Sequence, residues 1–226
     1  MVCEPLPHVW VFVGERGDRA ADRRFLVGAV AGLLGVAPAG LVLAQTCERC
    51  GGDHGRPIVN GVASPAPRVS LSRAGGRVAV AVTWLGAVGI DIESVSDVAA
   101  WPIDDAAFAD VERAALRDLD SGHGAAARSR ASIWTAKEAT LKLTGDGLRR
   151  DPRELRITLP GDESGELTAT AVDGVALPPS VRLELFEPAP GLVGTVAVTC
   201  SRRPVLRVID STQSRAAPAS TGRGWE

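Results

Sequence analysis

Lysine is almost missing from this chain of 226 residues. Of its 25 basic residues, only Lys137 and Lys142 are lysines, and all the others are arginines. The two lysines also lie close together in the sequence. A compact ammonium group and a planar guanidinium are not interchangeable where a point charge is needed. We therefore interpret the segment around these lysines as a candidate functional element.

Cysteines are also few, and the net charge is small. Four cysteines, Cys3, Cys47, Cys50 and Cys200, are too few and too scattered for a disulfide scaffold. Cys47, Cys50 and His54 are half of a zinc-site pattern, but structural zinc needs four ligands and the other cysteines are distant. The net charge of −2 indicates no general nucleic-acid-binding surface.

An export signal and a clear membrane span are both missing. Residues 25–44 carry no charge, and 20 residues is enough to cross a bilayer. Pro38 interrupts the stretch, however, and its many glycines and alanines keep it only modestly hydrophobic. The charged residues between positions 15 and 24 are untypical of a signal peptide. We expect a cytoplasmic protein with no membrane segment.

The hydrophobic pattern alternates between strands and helices in two comparable parts. Helices are predicted at 20–34, 104–119 and 125–143. Strands are predicted at 8–13, 41–44, 69–71, 78–84, 88–92, 154–159, 167–172, 181–186 and 192–199. This order predicts an α+β fold with an N-terminal half at 1–86 and a C-terminal half at 87–209. Residues 47–67 are predicted as an extended loop, and residues 210–226 as a disordered tail.

Two acidic residues lie at the end of the strand predicted at 88–92, one within it and one directly after it. Asp91 and Glu93 are two positions apart, so their carboxylates lie on the same face of the strand. Such a pair repels unless a cation lies between the two groups. Mg²⁺ suits the pair because it takes few protein oxygens and completes its shell with water and phosphate. The alternative is a strand end whose acids face solvent.

A stripe of three side chains follows one face of the helix predicted at 125–143. Trp134, Glu138 and Lys142 are spaced four residues apart, so they lie one above another. Glu138 and Lys142 could be only a helix-stabilising ion pair, worth a few tenths of a kcal/mol. That interpretation does not explain why both lysines of the chain lie in this segment.

The two motifs together resemble the signature of the 4′-phosphopantetheinyl transferase superfamily. Residues 89–93 read Gly-Ile-Asp-Ile-Glu, and residues 134–142 read Trp-Thr-Ala-Lys-Glu-Ala-Thr-Leu-Lys. Similar segments at 47–57, 69–75, 108–113 and 145–148 extend the resemblance over residues 8–200. The resemblance implies two similar α+β halves related by pseudo-twofold symmetry, with the active site in the cleft between them.

The resemblance also implies an activity, that of a holo-[acyl-carrier-protein] synthase. Such an enzyme transfers 4′-phosphopantetheine from coenzyme A to a serine of an apo carrier protein and releases adenosine 3′,5′-bisphosphate. Asp91, Glu93 and Glu138 would hold Mg²⁺, or Mn²⁺, against the pyrophosphate. Lys142 would bind the pyrophosphate, and Lys137 would either do the same or pair structurally.

Further roles follow from the same resemblance. The base for the carrier serine is Glu138 or Glu112. Coenzyme A phosphates would be bound by Arg56 and Arg73, with Arg24 a weaker candidate. The nucleotide would be lined by residues of the loop and of one strand, namely His54, Gly55, Pro57 and Ser72. Arg73 stands where the family usually has histidine, and both side chains can carry the positive charge that a phosphate needs.

The implied partner is an acyl, polyketide or peptidyl carrier protein. The longer, two-half architecture favours secondary metabolism and a monomer. An apolar patch between Val111 and Leu119 is the predicted docking face for the carrier. Two alternatives remain open, a coenzyme-A-binding protein without turnover and a Mg²⁺-dependent phosphohydrolase that needs no carrier.

Overall fold

The computed structural model describes residues 7–47, 49–53, 55–119, 125–160, 166–172 and 177–212, with only the backbone of Leu148. The N-terminal elements are β1 (His8–Glu15), α1 (Arg19–Leu34), β2 (Val42–Ala44), β3 (Ile58–Asn60), β4 (Arg68–Ala74) and β5 (Arg77–Thr83). The next are β6 (Val88–Ser94), α2 (Val95–Ala100), α3 (Asp104–Ala107), α4 (Asp110–Leu119) and α5 (Ala125–Thr144). The last are β7 (Leu155–Thr158), β8 (Thr168–Ala171), β9 (Val181–Phe186), β10 (Leu192–Thr199) and β11 (Val205–Asp210).

The strands form three sheets, which confirms the mixed α+β class. A six-stranded sheet has the order β11-β1-β5-β4-β3-β2, a three-stranded sheet the order β6-β10-β9, and β7 pairs with β8. Only the β1–β11 pair is parallel among the pairings described. The last strand of the C-terminal half therefore joins the sheet of the N-terminal half. The predicted pseudo-twofold symmetry stays a prediction.

Local signals set the ends of the two long helices. The Asp18 side chain accepts a hydrogen bond from the backbone N–H of Ala21 and so caps α1, as aspartate does at many helix starts. Gly35 ends the helix with φ at 66°, a conformation that costs glycine little. Gly145 follows α5 with φ at 84°. The predicted bounds of both helices are close to those observed.

A shared hydrophobic core joins the two halves. Val9, Val11 and Val13 of β1 are fully buried, and they pack in one cluster with Ile90 and Ile92 of β6. Helix α5 covers β6 from the other side. The sheet that carries Asp91 is therefore fixed between the N-terminal sheet and α5.

Several predicted elements differ from those observed. The helix predicted at 104–119 is divided into α3 and α4, because Phe108 is extended (φ −113°, ψ 137°) and its ring is fully buried. Strand β3 lies within the predicted loop at 47–67, α2 has no counterpart in the prediction, and β11 was not predicted. Asp210, the first residue of the predicted tail, ends β11; residues 213–226 lie outside the described residues.

The uncharged stretch at 25–44 is divided between α1, a short 3₁₀ turn at Pro38–Gly40 and β2. Among the helices described, none is both long and apolar enough to cross a membrane.

Two glycines test the packing of β6 on α5. A Cβ on Gly89 would lie 1.9 Å from the Ala139 carbonyl oxygen, whereas one on Gly28, on the exposed face of α1, meets nothing within 4 Å. We expect Gly89→Ala to lower the unfolding free energy by about 3 kcal/mol through overpacking. Gly28→Ala should raise it by about 0.5–1 kcal/mol through chain entropy. Urea unfolding followed by circular dichroism measures both, and similar changes in the two variants would contradict the close approach.

Candidate functional site

Lys142 lies where α5, β4 and β6 meet. Its Nζ donates hydrogen bonds to Asp91 Oδ1 at 2.6 Å, to Ser72 Oγ at 3.2 Å and to the Ile90 carbonyl at 3.1 Å. Ser72 Oγ in turn donates to Asp91 Oδ1 at 2.7 Å. The Asp91 side chain is 5% exposed and that of Lys142 29% exposed, so this ion pair is shielded but reachable. Residues from both halves thus converge on one carboxylate.

Two more acids lie beside this pair. Glu93 is two residues beyond Asp91 on β6, and Glu138 is one helical turn before Lys142 on α5. The Trp134 side chain lies close enough to the Glu93 carboxylate to lower its pKa. Asp91 Oδ2 and Glu138 Oε1 are buried, and neither has a hydrogen-bond partner among the described residues. Buried polar atoms without partners are uncommon, and catalytic and ion-binding sites are among the places where they occur.

The charge of the acid cluster is not balanced. Burial raises the pKa of Glu93 to about 7, with a further rise from Asp91, while Lys142 and Trp134 act in the opposite direction. Burial also raises the pKa of Glu138, again with Asp91 adding to the rise and Lys142 opposing it. One ammonium group therefore does not offset three neighbouring carboxylates.

The chemistry of these side chains fits a hard divalent cation that brings part of its own shell. Among the residues that the structure describes, no three His, Cys, Asp or Glu side chains already form a metal cage. A complete cage is not required for Mg²⁺, which usually binds one or two carboxylates and takes waters and phosphate oxygens for the rest. The unpartnered oxygens of Asp91 and Glu138 are of the ligand type that this ion prefers.

Lys137 lies in a different environment from Lys142. Its side chain is fully buried, and its Nζ lies 2.6 Å from Glu112 Oε2. The same Nζ donates to the carbonyls of Pro152 at 3.0 Å and Leu155 at 2.8 Å. Burial lowers the pKa of Lys137, and the contact with Glu112 opposes that shift. This geometry favours the structural pairing that the sequence left open for Lys137.

Glu112 is also held by the backbone. Its Oε2 accepts a hydrogen bond from the Ala109 N–H and its Oε1 one from the Ile157 N–H, both at 2.8 Å. Together with Lys137, Glu112 thereby ties α4, α5 and β7 to one another. Its carboxylate is fully engaged in these contacts.

Ser72 and Arg73 are neighbours on β4 and serve opposite faces. Ser72 faces Asp91, while Arg73 Nε donates to Asp22 Oδ2 on α1. Asp22 is buried and also accepts a hydrogen bond from the Gly17 N–H at 2.9 Å. The Arg73 guanidinium is thus oriented by a fixed carboxylate. Arg24 is exposed on the same helix, α1.

The loop at 47–57 contacts the end of α5. Arg56 donates to the carbonyls of Lys142, at 3.0 Å, and of Leu143, where a helix leaves carbonyls unsatisfied. The Gly55 N–H donates to the Gln45 carbonyl at 3.1 Å. A Cβ at Gly55 would lie 2.2 Å from the Thr46 carbonyl oxygen, so only glycine fits. The loop therefore returns to the helix that carries Lys142.

The remaining predicted residues of the loop divide into two cases. Pro57 is half-buried beside Arg56. His54 lies outside the described residues.

Two contributors to this region were not predicted. Asp22 orients Arg73, and Ser70 Oγ accepts a hydrogen bond from the Ile90 N–H at 3.1 Å. Both contacts join positions far apart in the sequence, and no local pattern marks them.

Glu93 gives the metal-free protein a distinctive pH dependence. Its pKa is about 7 in the folded chain against an ordinary 4.5, so the folded state keeps a proton that the unfolded state releases. The contribution of this group to the unfolding free energy therefore falls as pH rises from about 4.5 to about 7. We expect Glu93→Gln to gain stability relative to wild type over that range, and the gain to level off above it. Urea unfolding with a chelator measures this; a pH-independent difference would contradict the raised pKa.

The two lysines should separate in a stability experiment. Lys137→Met leaves Glu112 charged and buried, and we expect a loss of about 3–5 kcal/mol in unfolding free energy. Adding Glu112→Gln should recover part of that loss, with a coupling of about 2 kcal/mol. Lys142→Met should cost only about 1 kcal/mol, because the Lys142 ammonium is partly exposed and Glu93 and Glu138, whose pKa values are raised, can take up protons. Equal losses for the two lysines, measured by urea unfolding, would argue against this assignment.

Comparison with known proteins bears on the same segment. Residues 87–193 match the family model of the 4′-phosphopantetheinyl transferase superfamily. No curated protein matches the chain. The matched segment contains both motifs, with Asp91, Glu93, Glu138 and Lys142, while Arg56, Ser72 and Arg73 precede it. The match confirms the resemblance for residues 87–193, while the part of the resemblance outside that segment stays a prediction.

Proposed function

We propose that this protein transfers the 4′-phosphopantetheine group of coenzyme A to a serine of an apo carrier protein, in a reaction that depends on Mg²⁺. The observation that carries the proposal is the pair of buried, unpartnered oxygens on Asp91 and Glu138 beside the Lys142 ammonium. These residues lie within the segment that matches the superfamily. Acids without partners beside a lysine are suited to a cation and a phosphate bound together.

Asp91, Glu93 and Glu138 would hold the metal ion. When bound, Mg²⁺ supplies charge neutralisation at the pyrophosphate oxygens. Lys142 already donates to Asp91 Oδ1 and is 29% exposed, so its ammonium can reach a phosphate oxygen placed next to that carboxylate. Lys142 would thus supply positive charge where the leaving group becomes more negative.

The reaction forms a bond between the serine Oγ and the phosphorus attached to pantetheine. It breaks the bond from that phosphorus to the bridging oxygen, which leaves with adenosine 3′,5′-bisphosphate. The serine proton needs an acceptor. Glu138 fits this role better than Glu112, because Glu138 Oε1 has no hydrogen-bond partner among the described residues. The contacts of Glu112 with Lys137 and two backbone N–H groups argue for a structural role.

The N-terminal half would contribute the coenzyme A contacts. Arg73 is held by Asp22 and is one-third exposed, so part of its guanidinium can face a phosphate. Arg56 and Gly55 place the loop at the end of α5, next to Lys142. Ser72 is the residue of this half that contacts Asp91 directly. Arg24, exposed on α1, stays a further candidate for a phosphate contact.

The carrier protein would dock at α4. Val111 and Leu119 on this helix are 49% and 41% exposed, whereas Leu116 is buried against the core. Two exposed apolar side chains at the ends of one helix are compatible with a small docking patch for a carrier protein.

Intact-mass spectrometry of apo carrier proteins tests the proposal. Acyl, polyketide and peptidyl carriers are each incubated with the protein, coenzyme A and Mg²⁺. We expect at least one carrier to gain the mass of one phosphopantetheine group. Asp91→Asn and Glu138→Gln should each lower kcat/KM by about 100-fold or more, because each removes charge stabilisation that is needed at the pyrophosphate. The exposed Glu187→Gln, whose partner is Arg128, serves as the matched control and should leave the rate unchanged.

The same assay separates the alternatives. Consumption of coenzyme A without any carrier would indicate a phosphohydrolase. Binding of coenzyme A with no transfer to any of the three carrier classes would indicate a binding protein, and either result would contradict the transferase.

A further inference from the structure

The loop that precedes Gly55 brings two cysteines together. The Cys47 N–H donates to the Gly52 carbonyl at 2.7 Å, and the Gly51 N–H donates to the Cys47 carbonyl at 2.9 Å. These two bonds fold the chain back on itself over a few residues. The same turn therefore carries both Cys47 and Cys50. Both cysteines are thiols and not part of a disulfide; Cys47 is half-buried and Cys50 is exposed.

The surroundings of Cys47 favour its thiolate. Its pKa is lowered mainly by a backbone N–H of Cys50, then by that of Arg49 and by the Cys50 thiol. Thiolates stabilised in this way within a Cys-x-x-Cys pair are the attacking groups of thiol–disulfide exchange. Since Cys50 is exposed and Cys47 partly so, a small disulfide can reach them.

Cys200 provides a contrast within the same chain. Burial raises its pKa, and its Sγ donates to the Arg202 carbonyl at 3.0 Å. A protonated, partly buried thiol is a poor nucleophile. The difference in expected reactivity between Cys47 and Cys200 therefore comes from their surroundings, and it can be measured by comparing the two thiols within the same protein.

We propose that Cys47 and Cys50 form a thiol–disulfide exchange site that reacts with small-molecule disulfides. The Cys47 thiolate attacks one sulfur of a disulfide RSSR, which forms a mixed disulfide and releases one RS⁻. Cys50 then loses its proton and attacks the Cys47 sulfur, which releases the second RS⁻. The two released thiolates take up the two protons that the cysteines lose. Two cysteine thiols are oxidised to one disulfide, and RSSR is reduced to two RSH.

The position of the pair gives the reaction a structural consequence. Arg19 forms a salt bridge with Asp53 at 3.0 Å, and Arg23 donates to Gln45 Oε1 at 2.9 Å. These contacts hold both sides of the cysteine turn against α1. A disulfide would fix the turn directly before Gly55 and Arg56. The exchange chemistry itself does not depend on the proposed transferase activity.

Oxidised glutathione is the probe for the test. The full, reduced chain is incubated with it, quenched by alkylation and mapped by peptide mass spectrometry, which keeps Cys3 separate from the others. We expect an internal Cys47–Cys50 disulfide in wild type and a lasting glutathione adduct on Cys47 in Cys50→Ser. Cys47→Ser should react at Cys50 at least about tenfold more slowly than Cys47 reacts in Cys50→Ser, because the backbone N–H groups of Cys50 and Arg49 stabilise the Cys47 thiolate. Cys200→Ser should react like wild type.

Two results would overturn the proposal. One is a Cys47 that reacts no faster than Cys200, or a Cys50→Ser variant that accumulates no adduct. The other is one zinc ion per purified chain that must be removed before the pair reacts, since that would make the cysteines metal ligands. The carrier assay can succeed or fail independently of either result.

Discussion

The Lys142 ammonium lies beside three carboxylates, those of Asp91, Glu93 and Glu138, at the junction of β4, β6 and α5. Lys142 Nζ donates to Asp91 Oδ1, while Asp91 Oδ2 and Glu138 Oε1 are buried with no hydrogen-bond partner in the part of the chain that the structure describes. The cost of this imbalance is reduced by proton uptake, since the pKa of Glu93 is close to neutral. Such a cluster attracts positive charge before any substrate arrives. The uncompensated carboxylates of the candidate site therefore lower the stability of the folded protein.

The presence of lysine at positions 137 and 142 has a geometric explanation. Lys137 Nζ contacts three acceptors: the carboxylate of Glu112 and the carbonyls of Pro152 and Leu155. Lys142 Nζ also contacts three, from Asp91, Ser72 and Ile90. An ammonium donates three hydrogen bonds from one atom, whereas the donors of a guanidinium lie in a plane. Arginine can replace lysine on a surface but not at positions 137 and 142. Of these two lysines, only Lys142 faces the cluster of Asp91, Glu93 and Glu138.

The sequence predicted best where information is local. The alternation in β6, the spacing in α5 and the caps of α1 each depend on neighbouring residues, so the sequence alone is enough to predict these elements and to mark the acids and Lys142 as candidates. The division between α3 and α4 was missed because burial of Phe108 overrides helical periodicity. The partners of Arg73 and Glu112 were missed for a similar reason. Asp22 lies 51 residues from Arg73 in sequence, and only the packed fold brings the two together.

Strand β11 closes the open side of β1, in parallel register from His8 with Val205 to Val13 with Asp210. Synthesis on the ribosome runs from β1 to β11, so this edge of β1 stays open until β11 has emerged. During that interval β1 presents unpaired N–H and C=O groups, which other chains can bind. The six-stranded sheet is therefore completed only after β2 to β10 have been made.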